Sequence, residues 1–175
     1  MSRRIARELA VQALFQIDFN CESIEAALNS AAEIYHDLEE KGRSEYIEAA
    51  QKALVAKEAS VEVEAVETEP VNDPIIPNAD EVTASRAYAE ELLKGVLENK
   101  EAIDEKIIAC AIDWKLERMP ATDRNIMRVA AYEMFFAEKK VDFPVAINEA
   151  VEIAKIYGTK ESSRFVNGVL GKMTK

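Results

Sequence analysis

The chain has 175 residues, with 22 Lys+Arg against 33 Asp+Glu and a formal net charge of −11. Nearly half of the residues, 49%, are apolar, enough for a substantial core. Yet no run approaches the roughly 18 apolar residues that a membrane-spanning helix needs, and the polar start lacks the apolar stretch of a secretory signal. Five Gly and five Pro beside abundant Ala, Glu, Leu and Lys speak against a sandwich or barrel and for a helical protein. Cys21 and Cys110 form no CxxC pair and read as two buried, reduced thiols of a cytoplasmic protein. With His36 as the sole histidine, no metal site or other cofactor is expected.

Taken in chain order, the first helix opens at RRIARELAVQALFQ. Ala6, Leu9, Ala10, Ala13, Leu14 and Ile17 are spaced 3, 1, 3, 1 and 3, which makes a core stripe. Arg3, Arg4 and Arg7 fall off it, as do Gln12 and Gln16, and the arginines are expected to face solvent. From Ser23 to about Ala59 the helical spacing continues through Ile24, Ala27, Leu28, Ala31, Ile34, Tyr35 and Leu38. The stretch SVEVEAVETEPVNDPIIPNA then loses the period and holds three of the five prolines. Its VEVEAVE alternation would suit a strand, but nothing else in the chain offers a strand to pair with, so it reads as a mobile acidic loop. Val82, Tyr88, Leu92, Leu93, Val96 and Leu97 mark a helix over about 81–99. Ile103, Ile107, Ile108, Ala111 and Ile112 mark another, ending near Trp114. After ERMPATDR a third carries Ile126, Val129, Ala130, Met134 and Phe135. Pro144 suits the start of a fourth and Gly158 its stop. A last helix runs from about Glu161 to Lys172. The spacing predicts an all-α bundle of about six to seven helices, one domain over 1–175 with an acidic insertion at about 44–80.

The charge is unevenly spread. Residues 1–20 carry three cations and two anions, 21–82 four cations and sixteen anions, and 83–175 fifteen of each. The three arginines stand at the wrong end of their helix, because a helix N-terminus carries roughly +0.5 of a charge and favours carboxylates. The plain explanation is an Arg4–Glu8 pair at i,i+4 beside solvated neighbours. The functional one is an anion site, in which guanidiniums give forked hydrogen bonds to phosphates. No GxGxxG, Walker A, HExxH or nucleophile elbow occurs, so no catalytic residue is expected.

Four blocks, RRIARELAVQALFQ, DRNIMRVAAYEM, VAINEAVEIAKIYG and RFVNGVL, resemble the NusB family of bacterial transcription antitermination factors in order and approximate spacing. The likeness covers the first twenty residues and most of 84–175, and leaves out the acidic stretch. The same helical module also begins some ribosomal-RNA cytosine methyltransferases; a chain closing at FVNGVLGKMTK favours the free-standing factor.

The resemblance implies an all-helical, non-catalytic RNA-binding protein. With ribosomal protein S10 (NusE), such proteins bind boxA RNA and help RNA polymerase elongate through terminators in ribosomal-RNA operons. It places Arg3, Arg4 and Arg7, with Gln12 and Lys172, on the RNA side. Phe15, Glu117 and Asp123 fall on the S10 side, although Asp123 equally suits a carboxylate at the start of a helix. Some relatives form homodimers. In AINEAVEIAK the resemblance is carried by a buried stripe, Ala146, Ile147, Ala150, Val151 and Ala154, with Glu149 and Glu152 pointing elsewhere. Asn148 and Asn167 read as structural, and Gly168 as a site of close helix approach. The competing readings are a helical protein–protein adaptor without an RNA role and a stand-alone ribosomal-RNA-binding module.

Overall fold

The computed structural model describes residues 2–20, 23–41, 79–112 and 114–175, the side chains of 36–41 and 79 aside. Cys21, the His36 side chain and nearly all of the acidic insertion, with its VEVEAVE alternation, lie outside the described residues. The described chain holds seven α-helices: α1 (Arg3–Asn20), α2 (Ile24–Lys41), α3 (Ala79–Glu98), α4 (Lys100–Cys110), α5 (Ala121–Ala131), α6 (Phe143–Tyr157) and α7 (Ser162–Met173). A 3-10 turn spans Leu116–Arg118, and α5 runs on into a π-helical turn, Tyr132–Phe136. The all-α expectation holds.

Helix α1 is the centre of the bundle, packed by α2, α3 and α5. Its predicted stripe is buried from Ala6 to Leu14, with Ile17 half-buried. Because three helices surround it, burial extends right round to Ile5, Arg7, Glu8 and Val11. An apolar stripe marks one buried face; a central helix has no free one.

On α4, Ile103, Ile107 and Ala111 are core, but Ile108 and Ile112 are 47% and 66% exposed. The helix ends at Cys110, about a turn short of the expected end near Trp114, so Ala111 and Ile112 lie past it. Cys110 is half-buried, which corrects its reading as a buried thiol.

The π turn is closed by the bond from Ala137 N–H to Tyr132 C=O at 2.9 Å, five residues back. Its Tyr132 ring lies over Gly95 of α3, where a Cβ would stand 2.0–2.3 Å from ring atoms. That glycine lets the turn approach α3 and sets the position of the next residue, Glu133. Pro144 sits in the first turn of α6 as expected, and Gly158 closes it. The stop works by close packing, since a Cβ on Gly158 would meet Ser162 Cβ at 2.4 Å and the Ala154 carbonyl at 2.6 Å.

Candidate nucleic-acid interface

The three N-terminal arginines divide into three environments. Arg3 is exposed, and its guanidinium carbon stands 5.8 Å from the centroid of the Tyr88 ring on α3, within cation–π reach. Arg4 is half-exposed and grips Glu149 of α6 with two forked bonds, Nε–Oε2 at 3.0 Å and Nη2–Oε1 at 2.8 Å. The expected Arg4–Glu8 pair is thereby corrected, and Glu149, off the α6 stripe as expected, turns to α1. Arg7 is only 4% exposed. Its Nε and Nη2 donate to Glu133 at 2.8 and 2.9 Å, and its Nη1 reaches Glu149 at 3.4 Å.

Arg7 therefore does not face solvent, which corrects its expected exposure. Around it stand Ile126, Val129 and Ala130 of α5 and Ala146, Ala150 and Ile153 of α6, and the charge is held by carboxylates from the π turn and α6. Glu133, 1% exposed, also accepts from Tyr88 Oη at 2.6 Å. Burial and the Glu133 charge hold the Tyr88 phenol well above its usual value, so it stays a donor. At Glu149, the Arg4 hydrogen bond lowers the carboxyl pKa against the opposing effect of burial.

The electrostatic puzzle of the sequence is thus resolved. The α1 N-terminus receives the carboxylates it favours from Glu133 and Glu149, more than 120 residues away in the chain. Of the three α1 arginines, Arg3 is the one with no ion pair among the described residues.

A second buried network lies further along α1. Glu8, 2% exposed, accepts hydrogen bonds from the hydroxyls of Tyr35 on α2 and Tyr157 on α6. Burial, with the neighbouring Tyr157 and Glu8, pushes the Tyr35 phenol well up. Gln12 is half-buried here and donates to Tyr157 Oη at 3.1 Å, so it braces α6. At the far end of α1, Asp18 meets Lys100, Arg124 and Arg128 at 3.2, 3.5 and 3.0 Å. Arg124 also donates to the Leu116 carbonyl at 3.3 Å, tying the 3-10 turn to α1.

That end carries the residues assigned to a protein partner. Phe15 is half-buried and stacks on Phe19, 46% exposed, with ring centroids 4.5 Å apart. Glu117 is exposed on the 3-10 turn. Asp123 is only 3% exposed in the first turn of α5, which corrects its placement on a surface and fits the helix-start alternative. Lys172 is exposed on α7 and donates to the Cys110 carbonyl at 3.4 Å. Asn148 and Asn167 are exposed, and a Cβ at Gly168 would meet nothing within 4 Å; their structural readings are corrected too.

Sequence reasoning missed Tyr88, Glu133 and Phe19. A lone carboxylate inside an apolar run, as in VAAYEMFF, was the signal for Glu133. Such a residue must find a cation if the run is core.

Fold and site together define a class: an all-helical bundle whose first helix presents an arginine head braced by carboxylates from later helices. Among the described residues no group of three or more His, Cys, Asp or Glu is placed to hold a metal, and no helix is long and apolar enough to cross a membrane. Comparison with known proteins narrows the class. The NusB family model matches residues 47–175. The chain is 39% identical over 174 residues to the transcription antitermination protein NusB of Bdellovibrio bacteriovorus, covering 99% of this chain and 96% of that one. It is 35% identical over 175 residues to the NusB protein of Clostridium botulinum strain Kyoto, covering 99% of each. The solved structure of T. maritima NusB superposes with a TM-score of 0.65 at 28% identity, over 99% of this chain and 90% of that one. The family model begins beyond α1, whereas both relatives align across it. The chain belongs to the NusB family of transcription antitermination proteins.

Proposed function

We propose that the chain acts in the cytoplasm as a non-catalytic scaffold of antitermination, binding boxA-type single-stranded RNA together with ribosomal protein S10. The observation that carries this reading is the Arg3–Tyr88 pair at the exposed head of α1, in a chain that aligns end to end with antitermination proteins. Unpaired bases are read by stacking and at their edges, while phosphates take guanidinium forks. Arg3 and the exposed flank of Arg4 supply the second kind of contact, and the partly open Tyr88 ring the first. Arg7 supports them from below. S10 is assigned to the Phe15–Phe19 pair with Glu117, at the other end of α1.

The test is fluorescence anisotropy with a boxA-like strand and a scrambled control, with and without S10, at two salt concentrations. The expected outcome is a preference for boxA that S10 strengthens and that Arg3→Ala/Arg4→Ala removes. The salt slope should fall by about 0.7 for each phosphate that the variant no longer neutralises. Equal, negligible binding of both strands with S10 present would leave a helical adaptor instead.

A further inference from the structure

A cluster of charges stands at the base of α1, about 22 Å along the axis from Arg3 at 1.5 Å per residue. Its centre is Asp18, whose side chain is 11% exposed. Asp18 Oδ1 accepts from Lys100 Nζ at 3.2 Å, and Oδ2 accepts from Arg128 Nη1 at 3.0 Å and Arg124 Nη2 at 3.5 Å. Burial acts to raise this carboxyl pKa, but Arg128, Lys100 and Arg124 together hold it below the usual value, so the carboxylate is charged at neutral pH.

The three cations act differently. Arg128 is buried and gives its fork to Asp104, Nε–Oδ1 at 2.7 Å and Nη2–Oδ2 at 2.8 Å. Lys100 stands at the first position of α4. Arg124 reaches on to the 3-10 turn, where Nη1 donates to the Leu116 carbonyl at 3.3 Å. That oxygen also accepts the Met119 N–H at 3.2 Å, so the atom that closes the turn is the one tied to α1. The turn needs the tie: Leu116 is half-buried, and Glu117 and Arg118 are exposed. Short 3-10 turns have poorly aligned hydrogen bonds and little hold of their own.

Two pieces of one surface meet at Asp18. Phe15 and Phe19 flank it on α1, and Glu117 follows the carbonyl that Arg124 holds. The rings offer apolar area and Glu117 an acceptor, which suits a partner that presents an apolar side chain beside a cation. A carboxylate on an untethered turn would lose freedom on binding, and that loss opposes affinity.

We propose that Asp18 is a positioning residue for the protein partner: through Arg124 it fixes the 3-10 turn against α1, so that Glu117 and the Phe15–Phe19 pair are presented as one preformed surface. The inference rests on the assignment of S10 to this end of α1. Neither Asp18 nor Arg124 needs to touch the partner; they act by holding the residues that do.

The test is a double-mutant cycle on S10 binding by the full chain, read by isothermal titration calorimetry. Glu117→Gln removes the acceptor, and Arg124→Met cuts the tie while leaving Asp18 with Lys100 and Arg128. Each should weaken S10 about tenfold, and the double variant should lose no more than about twofold beyond either one, because an untethered Glu117 has little left to contribute. Lys100→Met, which touches the same carboxylate but not the turn, should stay within about twofold of the parent. Asp18→Asn should reproduce Arg124→Met, and serves in its place if that variant melts below the assay temperature. Binding of a boxA-like strand without S10 should stay within about twofold for every variant, since the α1 head is remote. Losses that multiply to about a hundredfold in the double variant, or equal losses for Lys100→Met and Arg124→Met, would overturn the positioning role. So would an unchanged S10 affinity in Arg124→Met and Asp18→Asn. If the parent does not bind S10, or if Phe15→Ala and Glu117→Gln leave its affinity unchanged, the assignment of S10 to this surface falls and the inference with it.

Discussion

Arg7 offers the sharpest separation between what the sequence suggests and what the fold requires. Its guanidinium is 4% exposed, with Glu133 at 1%, joined by bonds of 2.8 and 2.9 Å. Glu133→Gln keeps the shape and hydrogen bonds to the carbonyl side but removes the compensating charge. Breaking a buried pair on one side costs about 3–5 kcal/mol, and Arg7 would keep only its longer contact to Glu149 at 3.4 Å, so the loss should lie toward the lower end of that range. Set against a total stability of about 5–15 kcal/mol, this is a large loss. With a urea m-value of about 2–3 kcal/mol/M, the midpoint should fall by about 1–2 M at unchanged slope. Arg7→Gln should do the same, because it strands Glu133 with the Tyr88 hydroxyl as its remaining partner. Arg7→Met/Glu133→Leu should recover part of the loss, as apolar replacements of buried pairs commonly do. Arg3→Ala, on the exposed residue, should stay within about 0.5 kcal/mol of the parent. Circular dichroism at the helical minimum follows all five unfolding curves. If Arg7→Gln and Glu133→Gln kept the parent midpoint while Arg7→Gln alone weakened RNA binding, the buried-pair argument would be refuted and Arg7 would belong to the open surface.

Three further outcomes follow from the same geometry. Glu149 titrates lower in the folded chain than in the unfolded one, through the Arg4 hydrogen bond and the Arg4 and Arg7 charges acting against burial. The unfolded state therefore takes up the proton first, near pH 4.3. The contribution of Glu149 should be complete above that pH and drain away as pH falls through the folded value. Urea midpoints of Glu149→Gln and the parent should differ at pH 6 and draw together as the pH falls through the folded value. Gly168→Ala and Gly171→Ala, each with open space at the new Cβ, should raise stability by about 0.5–1 kcal/mol, seen as a higher melting temperature. Gly95→Ala should do the reverse, by about 1–3 kcal/mol or more, because its Cβ would fall 2.0 Å from the buried Tyr132 ring.

The helices were legible because their apolar residues repeat at helical spacing, and Pro144 and Gly158 punctuate α6 where the chain turns. The limits of that legibility are physical. Periodicity states which residues share a face; it does not state how many faces are covered. α1 is enclosed by three helices, so Arg7 and Glu8, polar by type and off the stripe, are buried all the same. Their partners, Glu133, Tyr35 and Tyr157, stand 126, 27 and 149 residues away. No local pattern carries such a distance. The opposite error occurred on α4, where Ile108 and Ile112 continue the apolar pattern beyond the residues that α5 and α7 cover. The π turn was invisible for a related reason: the extra residue that re-aims Glu133 leaves no mark on composition.

The buried networks bear on how the exposed head of α1 works. A long arginine on a frayed helix end loses rotamer freedom when it binds, and that ordering opposes affinity. Here the first turn of α1 is held by Arg4 and Arg7 to α6 and the π turn, and the Tyr88 ring is fixed through its hydroxyl to the same Glu133 that holds Arg7. Arg3 and Tyr88 are therefore set against one another before any ligand arrives. On the proposed reading, the ion-paired Arg4 and Arg7 would aid recognition by holding Arg3 in place. The acidity of the chain has a complementary effect: a net charge of −11 repels polyanions in general, so an RNA strand gains attraction where cations stand unanswered by carboxylates. By that criterion, among the described residues of α1, Arg3 qualifies and Arg7 does not. The count of arginines in the first turn overstates the basic character of the surface, and the carboxylates that correct it come from helices far along the chain.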